Sequence, residues 1–308
     1  MANIKTWIST FRLKTLPLSI SGIIMGSFIA LSEGFFDIKI FSFAFLTTLF
    51  LQILSNVAND YGDGIKGTDK GRIGNRRAVG SGDISPAQML KVVIAFAVLS
   101  LVSGIALLWF SFGKADFVYS ILFLVLGVLA IAAAMRYTMG SNPYGYAGFG
   151  DLFVFVFFGL VSVMGTYFLY TKSFEIEVLL PAASIGLLSV GVLNLNNLRD
   201  YGTDLRAGKK TIAVKLGVGN TKLYHEFLTM FAIIFAVIYS SLNYNGLIQA
   251  IFLAIIYPLI SHVKRVVNNE NPWELEPELK KLALMTLGFS VLFGLGLYLA
   301  TFELFQFY

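Results

Sequence analysis

Cysteine is absent from this chain, histidine occurs only as His225 and His262, and charged residues make up 13% of the sequence. The first absence excludes disulfides, thiolate metal centres and cysteine nucleophiles. The second leaves too few imidazoles for a multi-histidine metal site. The third excludes an ordinary soluble domain, which would carry about twice that charged fraction. Apolar residues take up the difference: 56% of the 308 residues are hydrophobic, and the mean hydropathy is +0.75. The chain reads as an all-α integral membrane protein, a single membrane-embedded domain over residues 1–308.

A membrane-spanning helix needs roughly 20 mostly apolar residues. The sequence predicts nine, over 15–33, 38–59, 89–112, 117–136, 149–171, 177–198, 224–243, 246–264 and 282–302. The N-terminal MANIKTWISTFRLK is short and basic, and the apolar run after it is long enough to span, so no cleavable leader is expected. Lys and Arg collect in cytoplasmic loops. With the N-terminus inside, only Lys39, Lys114 and Lys172 of the 23 basic residues fall outside. This places the C-terminus outside and assigns the basic charge to topology, so no nucleic-acid partner is needed. The two long loops, about 60–88 and 199–223, are cytoplasmic, and aqueous chemistry is expected on that face. Pro17 and Pro181 stand at span starts, where a missing N–H costs little. Pro258 is inside a span and is expected to kink it. The segment ENPWELEPELKK at 270–281 reads as a solvated loop or short interfacial helix.

Two of the apolar runs end in acid and amide. QILSNVANDYGDGIKGTDK, residues 51–69, carries Asn56, Asn59, Asp60, Asp63 and Asp69. LNLNNLRDYGTDLRAGKKT, residues 193–211, carries Asn194, Asn196, Asn197, Asp200 and Asp204. Both contain Asn-x-x-x-Asp followed by Tyr-Gly and another Asp, and they close the second and sixth spans. The match points to two four-helix halves related by an internal repeat, with a ninth helix added. Helix neighbours lie three, four and seven residues apart. That spacing puts Asn56, Asp60 and Asp63 on one face, and Asn196, Asp200 and Asp204 on another. Ionised groups at membrane depth are costly and face a bundle interior or a wet cavity. Oxygen donors without His or Cys suit a hard cation, Mg²⁺ in particular, which is typically held by one or two carboxylates and substrate phosphates. Two such faces would hold two ions with a diphosphate between them. Basic residues follow each cluster, Lys66, Lys70, Arg72, Arg76 and Arg77 after the first and Arg206, Lys209 and Lys210 after the second, and would clamp phosphate oxygens. A lipid diphosphate fits, its head at the cytoplasmic rim and its tail in an oily groove.

These paired motifs, on nine helices, resemble the UbiA superfamily of intramembrane aromatic prenyltransferases, and the resemblance covers essentially the whole chain. FRLKTLPLSISG at 11–22, NDYGDGIKGTDKG at 59–71, RYTMGSNPYGYAGFGDLFVFVFFG at 136–159 and NNLRDYGTDLRAGKKTIAVKLG at 196–217 look most like the branch acting on 1,4-dihydroxy-2-naphthoate. Departures from that branch are Leu13 for Pro, Ser141 and Asn142 in a Gly-Pro context, and Asp151 for Glu. In the first motif either Asp63 or Asp69 completes the metal site.

The resemblance implies transfer of a polyprenyl group from polyprenyl diphosphate to the dihydroxynaphthoate ring, with loss of diphosphate and CO2, giving a demethylmenaquinone precursor. It implies Mg²⁺ at Asp60, Asp63, Asp200 and Asp204, with Asn56 hydrogen-bonded into that shell. Asn59, Asn196 and Asn197 are substrate-side candidates. Lys14, Arg199 and Lys209 are candidates for phosphate or substrate-carboxylate contacts, followed by Arg12 and Tyr137. The location implied is the plasma or inner membrane. Rival readings are the same fold acting on 4-hydroxybenzoate, homogentisate or haem, a CDP-alcohol phosphotransferase, and a cation-coupled transporter. The phosphotransferase expects Gly where Asn196 stands and Ala-Arg after Asp63-Gly64. The transporter expects ion residues near span centres.

Overall fold

The computed structural model describes residues 3–68 and 77–304. Among them nine helices are long and apolar enough to cross a membrane: α1 (Ile4–Ser32), α2 (Ile38–Lys66), α3 (Pro86–Phe112), α4 (Phe117–Arg136), α5 (Gly150–Thr171), α6 (Ile176–Arg199), α7 (Ile212–Leu242), α8 (Leu247–Val267) and α9 (Pro272–Phe302). The described residues contain no strand. Lipid offers no hydrogen-bonding partner to backbone, so each span satisfies its own amides as a helix.

The apolar cores of the spans lie where the sequence puts them, but four helices run further. α1 begins at Ile4, α2 continues to Lys66, α7 begins at Ile212 and α9 at Pro272. Hydropathy marks only the oily part of a helix, while capping decides where it ends. α2 stops at Gly67, whose φ of 69° lets its N–H turn back to the carbonyls of Asp63 and Gly64. The first acidic cluster up to Asp63 is therefore helical, not in a loop. α7 starts where the Thr211 hydroxyl accepts the Val214 N–H at 3.3 Å. The helix backbone of α8 changes from 3₁₀ to α between Ile255 and Ile256, just before Pro258, whose ring cannot supply an amide hydrogen. The segment 270–281 is a 3₁₀ turn, Pro272–Leu275, leading directly into the α-helix that starts at Glu276.

α1 is broken in its lower third. Arg12 adopts φ 50° and ψ 55°, a short 3₁₀ turn covers Leu13–Thr15, and helix resumes at Leu16 with Pro17 in its first turn. α2 holds the break. Asn56 Nδ2 donates to the Phe11 carbonyl at 2.9 Å and to Thr15 Oγ1 at 3.2 Å, and Gln52 Nε2 donates to the same hydroxyl at 3.0 Å.

The most extensive pairings are α2 with α3, α6 with α7, and α1 with α9. The second and third helices of each four-helix half thus pack alike. α1 meets α5 through Gly22 and Gly26. A Cβ at Gly22 would lie 2.2 Å from Ser162 Oγ, and one at Gly26 would lie 2.4 Å from the Val163 carbonyl oxygen. Small residues four apart let backbones approach where lipid gives no hydrophobic drive to association. Between α8 and α9, Phe252, Phe289 and Phe293 are fully buried against one another, with ring centroids 5.1–5.9 Å apart. α4 has no buried residue. Its outer face, including Phe117, Val118 and Leu122, is exposed for lipid, and its inner side walls a cavity.

Candidate active site

A cavity of about 440 Å³ runs between α1–α3 and α4–α6. Its apolar part is lined by residues such as Leu18, Ile23, Leu107, Phe123, Phe158 and Leu169. Its polar part draws on both acidic clusters. Asn56, Asn59 and Asp63 come from α2, Asn196 and Asn197 from the end of α6, and Asp200, Asp204 and Lys209 from the segment that follows. Arg12, Arg77, Tyr137 and Tyr146 complete this end. The two motifs, 140 positions apart in the sequence, therefore share one cavity.

The clusters are joined through Lys209. Its Nζ lies 3.6 Å from Asp63 Oδ1 and 3.4 Å from Asp204 Oδ1. Those oxygens are then no more than about 7 Å apart, close enough that two unscreened carboxylates repel by about 2 kcal/mol at an effective dielectric of 20. A cation between them removes that cost. Lys209 is held in turn by its N–H to the Asp204 carbonyl at 3.0 Å, and Lys210 N donates to the Tyr146 carbonyl at 2.8 Å.

Tyr146, which the sequence reading passed over, is central to this end. Its hydroxyl donates to Asp63 Oδ1 at 2.5 Å. Its ring carries two ammonium groups, Lys66 Nζ at 4.8 Å and Lys209 Nζ at 4.6 Å from the centroid. Thr68 Oγ1 also donates to Asp63 Oδ1, at 3.2 Å. Asn59 Oδ1 accepts from Thr138 Oγ1 at 3.2 Å, and Lys66 Nζ donates to the Thr138 carbonyl at 2.8 Å. Tyr137 stacks edge-on to Tyr144 at 5.3 Å. Burial, with Tyr144 and nearby carboxylates adding to it, pushes the Tyr137 phenol well above its ordinary value, so it stays a hydrogen-bond donor.

The helical face differs from the one expected. Asn56, Asn59 and Asp63 line the cavity, whereas Asp60 does not. Asp60 sits roughly 60° round the helix from Asp63. Its Oδ2 accepts the Ala78 N–H at 3.1 Å and its Oδ1 the Val79 N–H at 3.0 Å, so it fastens the chain entering α3. On the second cluster Asn196, Asn197, Asp200 and Asp204 all line the cavity.

Lys14 and Arg199 are also off the cavity wall. Both pair with Glu276 in the first turn of the α-helical part of α9. Arg199 further grips Asp200 in a two-pronged contact, Nε to Oδ1 and Nη2 to Oδ2, each at 2.8 Å. Among the described residues the cations that do reach the wall are Arg12, Arg77 and Lys209; Lys70, Arg72 and Arg76 lie outside the described residues. Asp69 lies outside the described residues. Glu276 was unreadable locally because its partners are 77 and 262 positions away.

The model for the UbiA prenyltransferase family matches residues 19–285. The 1,4-dihydroxy-2-naphthoate octaprenyltransferase of Escherichia coli (strain K12) is 40% identical over 298 residues, covering 96% of each chain. Among solved structures, the apo UbiA homolog from Aeropyrum pernix K1 superposes with a TM-score of 0.66 at 18% identity, over 97% of this chain and 99% of that one. A UbiA homolog from Archaeoglobus fulgidus bound to GPP and Mg²⁺ gives 0.61 at 14% identity, over 95% and 99%. These two likenesses are of fold.

Proposed function

The chain belongs to the UbiA prenyltransferase family, and from that footing we propose that it moves a polyprenyl group from polyprenyl diphosphate to 1,4-dihydroxy-2-naphthoate. Diphosphate and CO2 leave, and the product is the 2-polyprenyl-1,4-naphthalenediol, the reduced form of demethylmenaquinone in menaquinone biosynthesis. The observation that carries the reading is the single cavity, with carboxylates of both repeats at its polar end and an apolar groove behind them. A lipid diphosphate has that same division. The E. coli relative, 40% identical over nearly its whole length, supports the naphthoate as acceptor.

The polar end fits Mg²⁺. Its donors are all oxygen, from Asp63, Asp200 and Asp204 with Asn59 and Asn196 beside them, and an ammonium already bridges two of these carboxylates. Among the described residues no three acidic or histidine side chains close round one point. This suits an ion held by one or two carboxylates and finished by substrate phosphate. When bound, Mg²⁺ supplies positive charge against the diphosphate as it departs.

The remaining work falls to this chain's own residues. Arg12, Arg77 and Lys209 supply cations for phosphate oxygens or for the acceptor's carboxylate. Tyr137, Tyr144 and Phe153, which stack in series on the wall, supply aromatic surface to the prenyl carbon as its C–O bond breaks and it gains positive charge. The apolar groove excludes water, which would otherwise capture that carbon. The basic residues sort to the acidic-cluster end of the bundle, which supports a cytoplasmic active site in the bacterial plasma or inner membrane.

The test is Mg²⁺-dependent transfer by protein reconstituted in lipid, with dihydroxynaphthoate and 4-hydroxybenzoate offered in parallel. Product and CO2 from dihydroxynaphthoate alone are expected. Turnover of 4-hydroxybenzoate instead would move the chain to a sister branch, and no transfer to either ring would refute the reading.

A further inference from the structure

We propose that Glu276 is a positioning residue for the acidic end of the cavity, acting through Arg199 on Asp200 and Asn196; the proposal rests on the prenyltransferase reading above. Arg199 is 8% exposed and reaches three acceptors. Besides its double contact with Asp200, its Nη2 donates to Asn196 Oδ1 at 2.7 Å, and its Nη1 donates to Glu276. Two of these acceptors, Asp200 and Asn196, are on the cavity wall, and the third is not. A guanidinium is a rigid planar fork, so fixing one prong fixes the others. Glu276 fixes the prong that points away from the cavity.

Arg199 needs such an anchor. It is the last residue of α6, and Asp200 is the cap, with φ −89° and ψ 5°. A helix end frays more readily than its middle. The grip of Arg199 on its sequence neighbour would not by itself hold either side chain to one direction. Glu276 adds a fixed point from another helix, and Lys14 binds the same carboxylate from the break in α1. One carboxylate thereby ties the first, sixth and ninth helices at the level of the site. The Glu276 side chain is 34% exposed, so burial does not account for its place there. Supporting groups behind metal-binding residues typically change metal affinity 10–100-fold when removed.

The experiment uses the full chain in lipid or detergent with a non-reactive polyprenyl thiodiphosphate. Its retention is titrated with Mg²⁺, and the melting temperature is read without the metal. Glu276→Gln keeps the shape and removes the charge. The half-saturating Mg²⁺ concentration is expected to rise 10–100-fold, with the metal-free melting temperature and the acceptor KM, the latter measured separately by turnover of the reactive diphosphate at saturating Mg²⁺, little changed. Lys14→Met, which removes one of Glu276's partners, is expected to shift the titration the same way by less. Asp200→Asn with Glu276→Gln is expected to lose less than the sum of the two single losses, because Glu276 acts in part through Asp200 and otherwise through Asn196.

Additive losses in the double variant would overturn the proposal. So would an unshifted titration with a lowered melting temperature, which is a purely structural role. A lower acceptor KM in Glu276→Gln would also overturn it, because Glu276 would then be occupying an acceptor-carboxylate site on Lys14 and Arg199. A wild type that fails to retain the analogue with Mg²⁺ would refute the prenyltransferase reading and this one with it. A binding wild type beside an unshifted variant refutes this one alone.

Discussion

Removing the Tyr146 hydroxyl probes the junction of the two acidic clusters, where it meets Asp63 and Thr68. Tyr146→Phe deletes the 2.5 Å hydrogen bond to Asp63 and the 3.1 Å contact with Thr68 Oγ1, and leaves the ring beneath Lys66 and Lys209. A hydrogen bond to a charged group contributes about 1.5–3 kcal/mol. Asp63 keeps the Thr68 hydroxyl and the Lys209 ammonium, so the loss belongs at the low end, about 1.5–2 kcal/mol. At 1.36 kcal/mol per factor of ten, kcat/KM for the diphosphate substrate should fall roughly 10–30-fold. The Mg²⁺ requirement should rise with it, because Asp63 is then held by fewer groups. Tyr146→Leu also removes the surface under two ammonium groups, each contact worth about 0.5–1 kcal/mol at partly exposed sites, and should lose roughly a further tenfold. The assay is steady-state transfer in proteoliposomes at several Mg²⁺ concentrations. A Phe variant within about twofold of wild type in both kcat/KM and Mg²⁺ dependence would refute the role given to the hydroxyl. Equal losses for Phe and Leu would refute the role given to the ring.

Four other substitutions separate parts of the account. Asp60→Asn should slow transfer by loosening the loop at Ala78 and Val79 while leaving the half-saturating Mg²⁺ concentration unchanged; Asp63→Asn should raise that concentration tenfold or more, and identical titrations for the two would contradict their separate placement. Gly26→Val would drive a side chain into the Val163 carbonyl, which cannot rotate aside, so the detergent-solubilised variant should lose several degrees of melting temperature or fail to assemble; a wild-type melt would refute the close approach of α1 and α5. Gly127 lines the cavity and a Cβ there meets nothing within 4 Å, so Gly127→Leu should fold normally yet favour shorter prenyl diphosphates, read from product chain length in mixed-substrate competition.

The spans were legible because the bilayer imposes a length and a composition that few other forces mimic. The pairing of the acidic clusters was legible too, since charge is rare enough in this chain for two matched groups to stand out. Their orientation was not. The i, i+3, i+4, i+7 rule covers a wide arc, and Asn59 and Asp60 both fall within it around Asp63. What separates them is a pair of backbone N–H groups from residues 78 and 79, which no local pattern records. Lys14 and Arg199 read as candidates for phosphate or substrate-carboxylate contacts, and the carboxylate they meet here is Glu276 of the same chain. Tyr146 was hidden for the same reason: its contact with Asp63 spans 83 positions. Helix ends were underestimated wherever a polar turn continued an apolar one, as at Asp63 and at Ile212, because capping there outweighs hydropathy.

The central claim is that the two acidic clusters form one metal–diphosphate site. It is tested most directly by determining the structure of the protein in lipid with Mn²⁺ in place of Mg²⁺ and a polyprenyl thiodiphosphate, locating the ions by anomalous scattering. The account predicts ions against Asp63 on one side and against Asp200 or Asp204 on the other, the diphosphate between them, and the tail in the groove past Leu18 and Phe158. Ions bound by one cluster alone, or a diphosphate lodged outside this cavity, would contradict it.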